Sequence, residues 1–200
     1  MKKALFILLF FGGLSSLLSV KGSQQRSNPP QTENKRTLNC TEERLEISFK
    51  FQRGGIASSQ YAIWIENEKG KLVRTIYATS FTAKGGYEYR EDAIPFWVNK
   101  AKPQEMSSVQ VDAITGATPQ NGILVYQWDG TDDNGNRVPK GNYKFFIEGT
   151  LYWKSRVVYS GDFFWGNKEQ TSISVKVKHF NQLQNNQNMI TELRVCHIKN

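Results

Sequence analysis

Through the middle of the chain, apolar and polar residues alternate in short runs, and a period of two marks half-buried strands. The clearest run is Arg44–Phe51, with Leu45, Ile47, Phe49 and Phe51 on one side and Glu46, Ser48 and Lys50 on the other. Tyr61–Glu66 and Lys71–Ala78 follow, joined by the charged turn Asn67-Glu68-Lys69-Gly70. Gly122–Trp128, Asn142–Thr150, Arg156–Phe164 and Thr171–Lys178 complete the predicted strands. Gly, Asn and Asp punctuate them, which predicts an antiparallel sandwich rather than βαβ units. One interruption differs. Glu91–Ala101 places Ile94, Trp97 and Val98 at helical spacing, and Pro95 limits the helix to a turn or two. It reads as an insertion between the third and fourth strands, packing its Trp on the sandwich edge.

The flanks have a different pattern. Lys2 and Lys3 precede an apolar run from Ala4 to Val20, and the chain turns polar at Ser23. That order predicts a secretory signal peptide over residues 1–22, cleaved after Gly22, with an uncleaved anchor helix as the alternative. No cysteine lies nearby to carry a lipid. Residues 23–37 are polar with two prolines and read as a flexible segment. The body is predicted to span residues 38–178. Residues 179–200 form an Asn/Gln-rich C-terminal extension that turns mildly alternating at Ile190–Ile198.

Composition narrows the function classes. The 200 residues include 5 Trp, 8 Tyr and 12 Phe, enough to fill a core with few aliphatics. Two cysteines exclude a disulfide-dense scaffold or a thiolate zinc site. Cys40 and Cys196 sit at the two edges of the body and could pair once exported, adding about 2–5 kcal/mol, or stay as free thiols. His179 and His197, both late in the chain, leave little for histidine catalysis. Losing Lys2, Lys3 and Lys21 with the signal lowers the formal charge from +8 to +5. The remaining basic residues are scattered, unlike the clusters that bind nucleic acid. The modest positive balance favours contact with anionic envelope components. No G-x-S-x-G elbow, H-E-x-x-H helix or Cys/His pair at a plausible site is present, and the acid pairs Glu66/Glu68 and Glu91/Asp92 read as solvated turns, so the chain reads as a non-enzyme.

Two segments carry sharper signals. From Tyr126 to Tyr143 the chain reads Y-Q-W-D-G-T-D-D-N-G-N-R-V-P-K-G-N-Y. It resembles the W-D-G-x-D-x-x-G-x-x-V-P-x-G-x-Y hairpin of the immunoglobulin-like domain in flagellar hook-capping proteins and many secreted sandwich modules. The resemblance implies an all-β, immunoglobulin-like fold. Asp129, Asp132, Asp133 and Asn134 invite a calcium reading, but their spacing does not match an EF-hand loop, and such residues are usual in solvated turns. No metal is expected.

The second segment, Asp112-Ala113-Ile114-Thr115-Gly116-Ala117-Thr118, resembles the D-x-x-[ST]-G-A-T motif at which ApbE-type transferases attach FMN through a phosphoester. The resemblance implies Thr118 as acceptor hydroxyl, with Asp112, Thr115, Gly116 and Ala117 as recognition sequence. A threonine hydroxyl is a weak nucleophile that a separate enzyme must activate, and small residues let that enzyme approach. The structural alternative is a turn in which Asp112 and Thr115 bond nearby backbone groups. Taken with Trp64, the Asn67–Gly70 turn, the Trp-bearing insert and the W-D-G segment, the order of the body is similar to a family of predicted periplasmic proteins of unknown function. Some members occur with PepSY-type membrane proteins in extracytoplasmic redox systems. That resemblance implies covalent FMN and a membrane redox partner. Trp97 and Tyr126, close in sequence to the heptad, are candidates to stack on the flavin, with ordinary core and edge packing as the alternative. The competing expectation is a cofactor-free extracytoplasmic binding or assembly module.

Overall fold

The strands predicted by alternation form two sheets packed face to face. The computed structural model describes residues 43–53, 59–116, 119–152, 155–166, 171–181 and 189–199. Residues 1–42, with the predicted signal peptide, flexible segment and Cys40, lie outside the described residues.

β1 is Glu43–Phe51, β2 Gln60–Asn67 and β3 Leu72–Thr79. A helical stretch follows: α1 (Ser80–Ala83), α2 (Pro95–Ala101) and α3 (Ser108–Ile114). Then come β4 (Thr115–Gly116), β5 (Gly122–Trp128), β6 (Gly141–Tyr152) and β7 (Ser155–Trp165). The last strands are β8 (Thr171–Ser172), β9 (Lys176–Phe180) and β10 (Ile190–Lys199). One sheet runs β5-β1-β10-β8 and the other β4-β3-β2-β6-β7-β9. All pairs are antiparallel except β3 with β4. The predicted all-β sandwich is therefore what forms.

The core between the sheets is filled by the inward positions of the alternating runs: Leu45, Ile47 and Phe49 from β1 meet Tyr61, Ile63 and Ile65 from β2. β2 is buried along nearly its whole length, because its other face is covered too. There Ala62, Trp64 and Ala78 pack under Ile94, Trp97, Val111 and Ile114 of the helical stretch. Strands covered on both faces need continuous apolar runs, which is what Tyr-Ala-Ile-Trp-Ile provides. Trp97 is fully buried in this second core, rather than seated at the sandwich edge.

α2 is held by β6. Ile94 at its N-cap has φ 45°, costly for a β-branched residue, and supplies no capping side chain. The carboxylate of Glu148 substitutes, accepting the N–H groups of Phe96 (3.2 Å) and Trp97 (2.9 Å). Arg156 of β7 reaches Glu148 at 3.5 Å, its guanidinium lying over the rings of Phe96 and Phe180 at 4.2 and 4.3 Å. Burial outweighs these partners and pushes the Glu148 carboxyl up to about 7.

Four expectations are corrected. The predicted last strand, Thr171–Lys178, is broken: β8 joins one sheet and β9 the other. The sandwich does not stop at Lys178, because β10 pairs with β1 from Ile190 to Lys199 and fills the space beside it. The W-D-G segment is not a hairpin within one sheet. It carries the chain from β5 in the four-stranded sheet to β6 in the six-stranded one, closed by a Thr131–Arg137 bridge and docked on β3 where Asp133 N–H meets Val73 O at 3.0 Å. Glu66 is buried instead of solvated, accepting Trp64 Nε1–H at 2.8 Å and pairing with Lys100 at 3.3 Å. Trp64 and Glu66 stand two residues apart on a strand, so they share a face.

Two outcomes follow. A carboxyl whose pKa is raised on folding is most favourable below its unfolded value and destabilises as pH rises through the folded value. The native state should therefore lose on the order of 3 kcal/mol between about pH 5 and about pH 8, and Glu148→Gln should flatten that decline in thermal melts. Gly130 in the arch has φ 78°, and a Cβ there would collide with the Trp165 indole. Gly130→Ala should cost about 3 kcal/mol, read as a lower urea midpoint.

Candidate functional site

The candidate heptad begins on α3. Ser107 and Gln110 form a capping box at its start: Ser107 Oγ accepts the Gln110 N–H at 3.3 Å and Gln110 Oε1 accepts the Ser107 N–H at 2.8 Å. Val111 and Ile114, three residues apart, turn onto the six-stranded sheet. Asp112 therefore points outward. Its side chain is 67% exposed and meets Lys84 Nζ at 2.9 Å.

The helix stops at Thr115, which is extended at φ −104°, ψ 150°. Thr115 and Gly116 then pair parallel with Ala78 and Thr79 as the outermost strand of the six-stranded sheet. Both are half-buried. Ala117 and Thr118 lie outside the described residues. Further along, Asn121 is fastened through its Oδ1, which accepts the Arg53 N–H at 2.8 Å. Gly122 then pairs with Phe51 in the other sheet. The described part of the heptad thus ends on the edge of one sheet, and Gly122 begins a strand of the other.

Aromatic residues from both sheets converge at this edge. Gly116 rests on Tyr77, and a Cβ added to it would lie 3.0 Å from that ring. Tyr77 is stacked on Tyr61 with centroids 4.8 Å apart, and tilted against Tyr126 at 5.3 Å. Tyr126 lies parallel to Phe49 at 6.0 Å. The hydroxyls converge as well: Tyr61 and Tyr126 share a 2.5 Å hydrogen bond, and Tyr77 donates to Gly116 O at 3.4 Å. Tyr61 and Tyr77 are buried, while Tyr126 remains half-buried. Burial raises all three phenols above their ordinary value, Tyr126 to about 12.

Of the sequence-predicted residues, Asp112, Thr115 and Gly116 are therefore brought to one accessible edge. Trp97 is not: it lies under α2 in the second core and donates Nε1–H to Thr75 Oγ1 at 3.2 Å. Tyr126 does lie in the aromatic cluster. Tyr61 and Tyr77 escaped sequence reasoning, because inward aromatics in strands look like ordinary core. The acids of the W-D-G segment are engaged within the fold. Asp129 accepts from Thr131 N–H, Asp132 from the N–H groups of Asn134 and Asn136, and Asp133 from Thr75 N–H.

Against this geometry, the comparisons with known proteins become informative. A family model described as a predicted periplasmic protein (DUF2271) matches residues 42–182. The chain belongs to that family. The match agrees with the extracytoplasmic place predicted from the N-terminus and ends before β10, which completes the four-stranded sheet here. No curated protein matches the sequence. Among solved structures, truncated FlgD from Helicobacter pylori (strain 26695) is 19% identical, covering 77% of this chain and 83% of that chain at a TM-score of 0.32. That likeness is slight.

The phenol cluster of this DUF2271 protein can be read directly. In alkaline titration of the folded protein, Tyr61, Tyr77 and Tyr126, together with the buried Tyr143 and Tyr159, should ionise later than free tyrosine, Tyr126 at about 12. Tyr126→Phe should remove that step from the phenolate absorbance.

Proposed function

We propose that this periplasmic sandwich is an electron carrier bearing FMN on Thr118, serving a membrane redox protein of the envelope. One observation carries the reading. The described part of the heptad occupies an open sheet edge, with the Asp112 carboxylate exposed and Thr115–Gly116 forming the outermost strand. A modifying enzyme needs that access. The close seat of Gly116 on Tyr77, where a Cβ would lie 3.0 Å from the ring, places Thr115–Gly116 beside aromatic rings. These residues suit a flavin better than a metal, which would need converging acids or imidazoles.

The attachment is chemically balanced if the donor carries an activated phosphate. With FAD as co-reactant, Thr118 Oγ attacks the phosphorus of the riboflavin-bearing phosphate. The bond to the other phosphate breaks, AMP leaves, and the hydroxyl proton passes to a base of the ApbE-type transferase. When bound, flavin supplies one- and two-electron chemistry, and the chain's part is to hold and present it.

A second reading has its own observation. β5 forms an edge of the four-stranded sheet with Ile123 74% and Val125 54% exposed, a surface suited to an envelope binding partner without any cofactor.

Incubating the chain with an ApbE-type transferase, FAD and magnesium should raise its intact mass by one FMN. Thr118→Ala should stay at the unmodified mass, and Asp112→Ala, which alters only an exposed side chain, should fold normally and load more slowly. Wild-type protein that remains unmodified would overturn the electron-carrier reading and favour the binding module.

A further inference from the structure

We infer that a cavity on the β7–β9 side of the six-stranded sheet binds a small organic monocarboxylate, with Arg156 as its anchor. The site is independent of the flavin reading, since β4 and β9 are opposite edges of that sheet. The cavity measures about 440 Å³ and is lined by residues 89–92, Arg156, Phe180 and Asn181. Small-molecule sites span about 300–1,000 Å³.

Arg156 is held at this cavity without its donors being engaged. Its side chain is 15% exposed and lies over the rings of Phe96 and Phe180 at 4.2 and 4.3 Å. Aromatic rings hold a guanidinium by its charge and leave its N–H groups uncommitted. Glu148 accepts the N–H groups of Phe96 and Trp97 and stays 3.5 Å from Arg156, beyond ordinary hydrogen-bond length. Arg156 Nε–H accordingly has no acceptor among the described residues. A sheltered guanidinium with idle donors is unfavourable, and an anion entering the cavity relieves it.

The surroundings select the kind of anion. Arg90 pairs with Asp92 at 3.5 Å, Glu91 is exposed beside them, and Lys178 lies over the Phe180 ring at 4.9 Å. Arg90, Arg156 and Lys178 therefore stand against Glu91, Asp92 and Glu148, a balance that favours one negative charge over several. The rings of Phe180 and Tyr89, the latter 90% exposed, give an aromatic or apolar body a surface to pack on.

Calorimetric titration of the protein with 3-phenylpropionate tests the site. It should bind, inorganic phosphate should bind more weakly, and phenethylamine, which lacks the carboxylate, should not bind. Arg156→Lys keeps the charge without the planar fork and should weaken 3-phenylpropionate about tenfold. Tyr89→Ala alters an exposed ring, should fold as wild type does, and should weaken it several-fold. Glu148, raised to about 7, adds a second readout, and His179 alternates to the other face of β9 from Phe180. Binding should be tighter at about pH 6, where Glu148 is neutral and leaves Arg156 uncompensated, than at about pH 8, and Glu148→Gln should remove the difference. No binding of 3-phenylpropionate, equal binding of phenethylamine, or affinity unmoved by both Arg156→Lys and Tyr89→Ala would sink the site. Tighter binding of phosphate would sink the monocarboxylate. None of these results bears on whether the chain accepts FMN.

Discussion

The six-stranded sheet has to be covered on both faces, and most of the molecule follows from that. Its inner face is met by the four-stranded sheet, through β1 and its run of Leu45, Ile47, Phe49 and Phe51. Its outer face carries Ala62, Trp64 and Ala78, and leaving an indole there in water would forfeit about 1.5–3 kcal/mol. The chain therefore inserts its helices between β3 and β5. Trp64 stacks on Phe146 at 5.1 Å, and Trp97 closes over the same surface. Because α3 must bury Val111 and Ile114 there, its polar side is turned outward and its end delivers Thr115 and Gly116 to the open edge of β3. The heptad is presented as a by-product of covering that face.

The anchor of this layer is electrostatically expensive. Glu148 is fully buried, and two backbone donors and an arginine do not offset the loss of water around its charge. An apolar residue at this position would spare that cost but would leave the first N–H groups of α2 without acceptors. Ile94, in a left-handed conformation before Pro95, shows how far the backbone bends to bring those groups onto β6: its N–H reaches Thr150 Oγ1 at 3.1 Å, and Thr150 in turn donates to Asp92 O.

Much of the fold was legible because strand alternation is a local signal. Gly122–Trp128 was read to the residue, and β1, β2 and β3 to within one. The misses have physical causes. α3 is announced locally only by the Ser107–Gln110 capping box, and the heptad that follows, with Gly116 and then Pro119, has the composition of a turn. β10 was read as an extension because an Asn/Gln tract precedes it, although Ile190, Val195 and His197 are buried against the rest. The W-D-G segment has every residue of a tight turn, and no local rule tells a turn within one sheet from an arch between two. Within the candidate site, the heptad was visible as contiguous residues. Tyr61 and Tyr77 were not, since they meet Tyr126 only through tertiary contacts across two sheets.

The pairing of β1 with β10 has a temporal consequence. Glu43 lies opposite Lys199, and the ladder continues to Phe51 opposite Ile190. A chain threaded across a membrane from its N-terminal side presents β1 early, and β1 must wait for nearly everything behind it before its inner neighbour arrives. During that interval one side of β1 lacks its partner, a hazard that long-range closure imposes on translocating chains. The four-stranded sheet can close only when residues 190–199 have emerged, so β1 becomes native only after a long lag behind its own arrival.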